Sequence, residues 1–553
     1  MTSVDPATWS VGPAAARISD RLRSWTAQQL SSRIWRSDPT VWPAATASDV
    51  ATRTGWLRLP EEMASAVPEL TAFAQGVRAD RYAHAVLLGM GGSSLAPDVL
   101  RRLFGSAPGA PELIVLDSTH PDAVAAVRGR VDPARSLFIV SSKSGTTTEP
   151  NDFYRFFREA VRASGADPGP HFVAVTDPGS PLERLAVAER FRAVFRAVST
   201  VGGRYSALTM FGLVPAAVLG VDLSALLERG RLMSAACGPG VPPAENPGVA
   251  LGAVLGELAA HGRDKLTFYA ARAFAPFPIW VEQLVAESTG KIGRGIVPVV
   301  DEPFAAVDRY GADRLFVELQ SASAPDAALA DHTRRLEAAG HPVVRVTVGE
   351  PLDVAQEFFR WELAVAVAGS VVGIDPFDQP DVELAKELAR QAMAHRGTAG
   401  GPGEPPSVAA DHRPELTAAV AAWLGSCRTG DYAAIQAYLA PTDATSAALD
   451  ALRRTLLERL RVATTVGYGP RFLHSTGQLH KGGPNTGLFL QIVDAPRTVV
   501  AVPGAGYSFG DLIHAQSVGD YRALTQKGRR VLRVDLGSDV EGGLRRLAEA
   551  SRA

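Results

Sequence analysis

"AVLLGMGGSSLAPDVL", residues 85–100, decides the fold class: an apolar run ends in a turn rich in glycine and serine and passes at once into a helix-like stretch. An apolar run without polar alternation reads as a strand buried on both faces, the mark of a parallel sheet. Gly89, Gly91 and Gly92 free the backbone for a tight turn, and Ser93 and Ser94 set hydroxyls beside the unpaired N–H groups of a helix start. Such a turn outlines an anion site, although a plain serine N-cap has the same composition.

Working outward, "LIVLD", "LFIVSS" and "FVAVTD" repeat the strand pattern up to about residue 177, with "DFYRFFREAVRA" and "PLERLAVAERF" as helices between or after them. A second set follows in "KLTFYAA", "RLFVELQ" and "PVVRVTVG", then the long apolar helix "VAQEFFRWELAVAVAGSVVG". Apolar strands alternating with helices imply doubly wound parallel sheets covered on both faces, a three-layer α/β arrangement. The reading divides the chain into a mainly helical, peripheral segment 1–75, a first α/β unit 76–240, a second 241–394, a linker 395–414 dense in Gly, Pro and Ala, and a C-terminal α/β segment 415–553.

That last segment, with "GLFLQIV" and "RRVLRVDLG" as strands, echoes the second unit and reads as a partial repeat of it. "ESTGKIGRG" (287–295) resembles "HSTGQLHKGG" (474–483), and "LFVELQ" and "RRLEAAGHPVVRVTVG" find counterparts at similar offsets. The echo predicts that Glu287 and His474 head equivalent turns.

A formal net charge of −2 over 553 residues, with 21% charged and 46% hydrophobic, describes an ordinary globular chain with no electrostatic footprint for nucleic acid. No run of apolar residues is long enough to span a bilayer, and no leader pattern opens the chain, so a cytoplasmic protein acting on a small metabolite is expected. Cys237 and Cys427 have no paired spacing and suggest neither a disulfide framework nor a thiolate metal site.

Chemistry concentrates in four places. "VSSKSGTTTEPN" (140–151) ends a strand with Ser141, Ser142, Ser144, Thr146, Thr147 and Thr148 around Lys143 and Gly145, donors suited to a phosphate monoester and unlike a nucleotide P-loop. "TVGGRYS" (200–206) sets Arg204 beside Gly202 and Gly203, where a guanidinium can meet a developing oxyanion. "EQLVAESTGK" (282–291) puts Gln283 and Glu287 one helical turn apart on one face. "FDQPDVELAK" (377–386) carries Gln379 and Lys386, the latter indistinguishable alone from a surface lysine.

Together, "GMGGSS", "SSKSGTTTEP", "GGRYS", "EQLVAESTGK" and "FDQPDVELAK" follow one another as do the motifs of the phosphoglucose isomerase (glucose-6-phosphate isomerase) family, over residues 80–390; the likeness extends to isomerase modules fused behind transaldolase in some bacteria. The resemblance implies two sugar-isomerase (SIS) domains and reversible conversion of glucose 6-phosphate to fructose 6-phosphate through an enediolate, with no metal or organic cofactor. It implies a phosphate and sugar site at Gly92, Ser93, Ser142, Lys143, Ser144, Gly145, Thr146, Thr147, Gln283 and Gln379. Glu287 would be the base, Arg204 the enediolate's support, and Lys386 a group near the ring oxygen. The family's ring-opening histidine lies between the base and "FDQ", where this chain has only His332 and His341 in unsuitable contexts. "FLHSTGQ" (472–478) resembles its "LHS-x-GQ" motif displaced behind Lys386, so His474 is expected to open the ring, with His480 as the alternative. In the family that histidine comes from a neighbouring subunit, which implies a homodimer. A dual glucose/mannose 6-phosphate isomerase and a non-catalytic sugar-phosphate-binding regulator are the other readings; Glu287 with Arg204 speaks against the regulator.

Overall fold

The computed structural model describes residues 4–394 and 404–553. Its framework is three five-stranded sheets. The first orders as β3-β2-β4-β5-β6, from β2 (His84–Gly89), β3 (Glu112–Leu116), β4 (Ser136–Ser141), β5 (Phe172–Thr176) and β6 (Ala193–Arg196). The second orders as β1-β10-β9-β7-β8, from β1 (Thr8–Ser10), β7 (Lys265–Ala270), β8 (Val297–Val299), β9 (Arg314–Ser321) and β10 (Val343–Val348). The third orders as β11-β15-β14-β12-β13, from β11 (Val408–Ala409), β12 (Tyr432–Tyr438), β13 (Ala463–Tyr468), β14 (Gly487–Val493) and β15 (Arg530–Asp535).

The apolar runs sit where continuous hydrophobicity requires, between two helical layers. In β2, Ala85 and Leu87 join one core cluster while Val86 and Leu88 join another, so alternate side chains feed opposite faces. β12 behaves likewise, with Ala433, Ile435 and Ala437 on one side and Tyr432 and Ala434 on the other. Every strand pairs in parallel except β1, which runs antiparallel to β10 in the register Trp9 to Val344.

Two features go beyond the sequence reading. The first 75 residues are mainly helical but not peripheral. β1 closes the edge of the second sheet, Trp42 is fully buried with its indole N–H donating to the Ala366 carbonyl at 2.7 Å, and Trp56, also fully buried, stacks on Tyr205 with ring centroids 5.3 Å apart. The C-terminal segment supplies the four strands β12–β15 of a third sheet, where a partial repeat was expected, and the fifth strand, β11, comes from the expected linker. Of the expected linker, 395–403 lie outside the described residues; beyond them β11 adds to this sheet and the helix Arg413–Gly425 begins.

The echo holds for part of its length. "LFVELQ" is β9 and "LFLQIV" is β14, the third parallel strand of each unit in chain order, and the pair of "VVRVTV" and "RVLRVD" are the fourth strands β10 and β15. The S-T-G triplets are not equivalent. "ESTG" ends the helix Phe277–Thr289 between β7 and β8, whereas "HSTG" lies between β13 and β14, one connection later.

Candidate functional site

Helix Phe277–Thr289 carries the site's central carboxylate. Its apolar residues bury it against the long helix Val354–Val372, and at its C-terminal end Glu287 stands with its side chain 13% exposed. One turn earlier, Gln283 Nε2 donates to Glu287 Oε2 at 3.0 Å and to the His474 carbonyl at 2.8 Å. The other carboxylate oxygen, Oε1, lies 3.4 Å from Arg204 Nη1. Arg204 is buried, and four of its five N–H groups are bonded. Nε donates to Ser288 Oγ at 2.8 Å, Nη1 to Gln379 Oε1 at 2.8 Å, and Nη2 to the carbonyls of Pro376 and Asp378 at 2.7 and 2.9 Å. A planar fork with five donors suits this task in a way an ammonium does not. One guanidinium thereby fixes the helix of Glu287 to the "FDQ" segment.

The glycines of the opening motif have a further use besides a tight turn. Gly91 has φ +56°, and a Cβ there would stand 2.8 Å from the His474 carbonyl oxygen and 3.0 Å from Gln283 Nε2. A Cβ on Gly92 would meet the Gly203 carbonyl oxygen at 2.0 Å. Bare backbone at these two positions lets the loop after β2 touch both the arginine loop and the histidine turn.

That turn comes from the third unit of the same chain. His474 Nε2 is 3.0 Å from Glu149 Oε1, which also accepts from Gln516 Nε2 at 2.8 Å. Burial opposes ionisation of Glu149, but the charge and hydrogen bond of His474 outweigh it and hold the carboxyl below its ordinary value. Glu149 was not singled out in the sequence, where a glutamate opening a helix after "TTT" reads as an ordinary dipole partner. His480, the alternative, is buried with Gln436 Nε2 3.2 Å from its Nδ1, and burial together with the neighbouring Lys481 charge depresses its pKa.

The helix of Glu287 and the His474 turn are clamped to one another. Gln478 Nε2 donates to the Gly290 carbonyl and to Asp381 Oδ2, both at 2.9 Å, and a Cβ on Gly290 would fall 2.3 Å from Leu479 Cα. Lys291 is buried, pairs with Asp378 Oδ1 at 2.7 Å and donates to the Asp375 carbonyl. Burial, reinforced by the Arg204 charge and opposed by Asp378, brings its pKa down to about 8.

The hydroxyl loop after β4 is built differently. Ser142 Oγ donates to Thr147 Oγ1 at 3.1 Å, Ser144 and Thr146 hydroxyls are 2.8 Å apart, and Gly145 takes φ +68°. Thr147 is the N-cap of the helix Thr148–Ala163, and its side chain makes no capping bond. Ser93 is buried at the end of the loop after β2. Lys143 is turned away to pair with Asp177 and donates to the Ser199 carbonyl at 3.3 Å. Lys386, on the helix Val382–Ala394, is half-exposed and bonded to Glu383 Oε1 at 2.8 Å. Its charge is felt at Glu149. The structure thus brings Glu287, Gln283, Arg204, Gln379, His474 and the Gly91–Gly92 turn together, and leaves the Lys143 and Lys386 ammonium groups on acidic partners.

Two buried acceptors in this corner, Gln283 Oε1 and Ser475 Oγ, have no hydrogen-bond partner within the described chain. A carboxylate between an amide donor and a guanidinium is equipped to move a proton between carbon atoms and to hold the oxyanion formed on the way.

Comparison with known proteins gives a consistent set. The phosphoglucose isomerase family model matches residues 62–299. "Probable glucose-6-phosphate isomerase" of Natronomonas pharaonis is 30% identical over 341 residues, which span 55% of this chain and 77% of that one. Glucose-6-phosphate isomerase of Rubrobacter xylanophilus is 29% identical over 398 residues, 62% of this chain and 90% of that one. Among solved structures, hypothetical protein TT0462 of Thermus thermophilus aligns with TM-score 0.61 at 25% identity, covering 70% of this chain and all of that one. A glucose-6-phosphate isomerase of Chlamydia trachomatis shares the fold with TM-score 0.56 at 20% identity, covering 72% of this chain and 90% of that one.

Proposed function

The chain belongs to the phosphoglucose isomerase family and is an aldose–ketose isomerase acting on glucose 6-phosphate, and from that premise we propose that Glu287 carries out the proton transfer. The carboxylate takes the proton from carbon 2 of the open-chain aldose, giving an enediolate, and returns a proton to carbon 1 while the hydroxyl proton passes from oxygen 2 to oxygen 1, giving fructose 6-phosphate. One group serves as base and then as acid, so no net proton is lost. Arg204, 3.4 Å from the base and locked by four further hydrogen bonds, meets the oxyanion as it develops at no cost in reorganisation. His474, oriented by Glu149, gives a proton to the ring oxygen while the anomeric hydroxyl loses its proton to water, so that the ring C–O bond breaks and the cyclic sugar opens. The sugar hydroxyls supply partners to Gln283 Oε1 and Ser475 Oγ, and the phosphate takes the hydroxyls of residues 142–147 and the Thr148–Ala163 helix start.

The observation that carries the reading is the placement of Glu287 between Gln283 and Arg204 with the His474 turn against the same helix. A coupled assay tests it: fructose 6-phosphate is offered to the purified protein and glucose 6-phosphate is detected by its dehydrogenase. Turnover that disappears in Glu287→Gln is expected; full activity in that variant removes the assignment. Among the described residues no helix is long and apolar enough to cross a membrane. A cytoplasmic setting fits the two unpaired cysteines. The histidine that made a homodimer the expectation reaches this corner from the same chain, so a homodimer has only the general family resemblance as its support.

A further inference from the structure

The second and third units are built to one plan. Taken in chain order, the parallel strands β7, β8, β9 and β10 lie in the spatial order β10-β9-β7-β8, and β12, β13, β14 and β15 lie in the order β15-β14-β12-β13. Each sheet places its second strand at an edge, and these equivalent edges, β8 and β13, meet. Directly after β8, Glu302 Oε1 accepts from the backbone N–H and the hydroxyl of Thr464 on β13, both at 2.8 Å, while Arg314 on β9 pairs with Glu302 at 2.9 Å, both side chains fully buried.

The packing around this seam is reciprocal. The helix after the first strand of the second unit puts Ala286 into a cluster with Tyr432, Phe489 and Leu479 of the third. The corresponding helix of the third unit, Asp443–Leu460, puts Leu457 into a cluster with Tyr269, Phe316 and Tyr310 of the second. In each case a first-connection helix reaches the first and third strands and the second connection of the other unit. Like edge meeting like edge, with contacts exchanged in both directions, is the geometry of a two-fold interface. Here both halves are in one chain.

The chemistry is divided across this axis. Glu287 sits on the first-connection helix of the second unit and His474 on the second connection of the third, and the seam sets the His474 turn against that helix, its backbone carbonyl accepting from Gln283. The reciprocal corner is closed by the apolar cluster of Leu457 and Tyr310. The first unit adds its glycine turn and Glu149 to the Glu287 corner. We propose that the second and third units are a two-fold pair fused in one chain, each having kept one half of the acid–base machinery, so that a single chain holds one complete isomerase site and borrows no group from a second copy. This rests on the assignment of Glu287 and His474 above.

Mixing of defective chains tests it. Glu287→Gln and His474→Ala chains carrying different tags are co-expressed, and any species holding both tags is assayed together with the total pool. The expected activity is no more than the sum of the two variants alone, and wild-type specific activity stays constant on dilution. A site shared between copies would instead restore one site in each mixed dimer, about a quarter of wild-type activity for random assortment, and that recovery overturns the proposal. A second measurement is independent of the catalytic assignment. Lys527 Nζ lies 2.6 Å from Asp381 Oδ1, joining the third unit to the segment behind the site. Carbodiimide cross-linking of an exchanged mixture of unlabelled and heavy-isotope-labelled wild-type chains should join these residues only within one isotope. Mixed-isotope pairs, or absence of the link, overturn the proposal even where the single variants stay active.

Discussion

The corner around Glu287 and the hydroxyl loop at 142–147, the proposed proton-transfer and phosphate ends of one site, are organised in opposite ways. In the corner, Arg204 is buried and spends four donors on Ser288, Gln379 and two carbonyls, and Gln283 ties Glu287 to the third unit. In the loop, hydroxyls bond one another, Lys143 rests on Asp177, and the Thr147 cap is unused. A catalytic group must be held where charge will develop, whereas a phosphate can recruit donors that trade a neighbour for an anion. Damage to the corner should therefore fall on kcat, and damage to the loop on KM.

The largest effect is expected from Glu287→Gln, a loss of roughly 10² to 10⁴-fold in kcat with sugar-phosphate binding retained, measured by steady-state kinetics beside calorimetric titration. Arg204→Lys keeps a charge and loses the fork; turnover should drop by about 10²-fold with a modest change in KM. A matching rise in KM would mean the arginine belongs to substrate binding. His474→Ala should lower kcat on cyclic substrate by about 10²-fold and spare open-chain analogues, and His480→Ala should do little. Ser144→Ala with Thr147→Val should raise KM by at least about 10-fold while kcat stays near wild type, each charge-assisted hydrogen bond being worth about 1.5 to 3 kcal/mol. An unchanged KM would move the phosphate elsewhere.

The smallest effect concerns acid stability. Glu149 has its folded-state pKa held below its ordinary value, by His474 against the opposing effect of burial. The folded state therefore binds fewer protons than the unfolded one as pH falls. The stabilisation is complete above the ordinary carboxyl value and is lost as pH drops through the depressed one. Glu149→Gln should flatten the acid limb of a Tm against pH curve and weaken kcat on cyclic substrate, whereas a purely structural glutamate would alter the Tm curve and leave kcat unchanged.

Much of the fold was legible because parallel strands buried on both faces advertise themselves as apolar runs: β2, β4, β5, β9, β10 and β14 all lie where such runs were read. β12 and β13, "YAAIQAY" and "ATTVGY", are small and mixed in polarity and gave no comparable signal, so the third sheet looked incomplete. The triplets "ESTG" and "HSTG" suggested equivalent turns, yet they lie in different connections and meet because β8 and β13 pack edge to edge. Local sequence has no means of expressing that seam, which depends on Glu302, Arg314 and Thr464 from distant segments. Gly91 and Gly92 were visible as glycines, but their purpose, contact with His474 and Gly203, is a tertiary fact. Glu149 was hidden by a simpler local explanation, and Lys386 and Lys143 resemble family positions while their ammonium groups rest on Glu383 and Asp177.

The claim that Glu287 moves a proton through an enediolate is tested most directly by isomerising glucose 6-phosphate in deuterated water and reading carbon 1 of the fructose 6-phosphate formed by NMR. A carboxylate that holds the abstracted proton exposes it to exchange, so the account predicts deuterium at carbon 1 in part of the first-formed product and no labelled product from Glu287→Gln. Turnover with every hydrogen retained, or labelling that persists in Glu287→Gln, would contradict it.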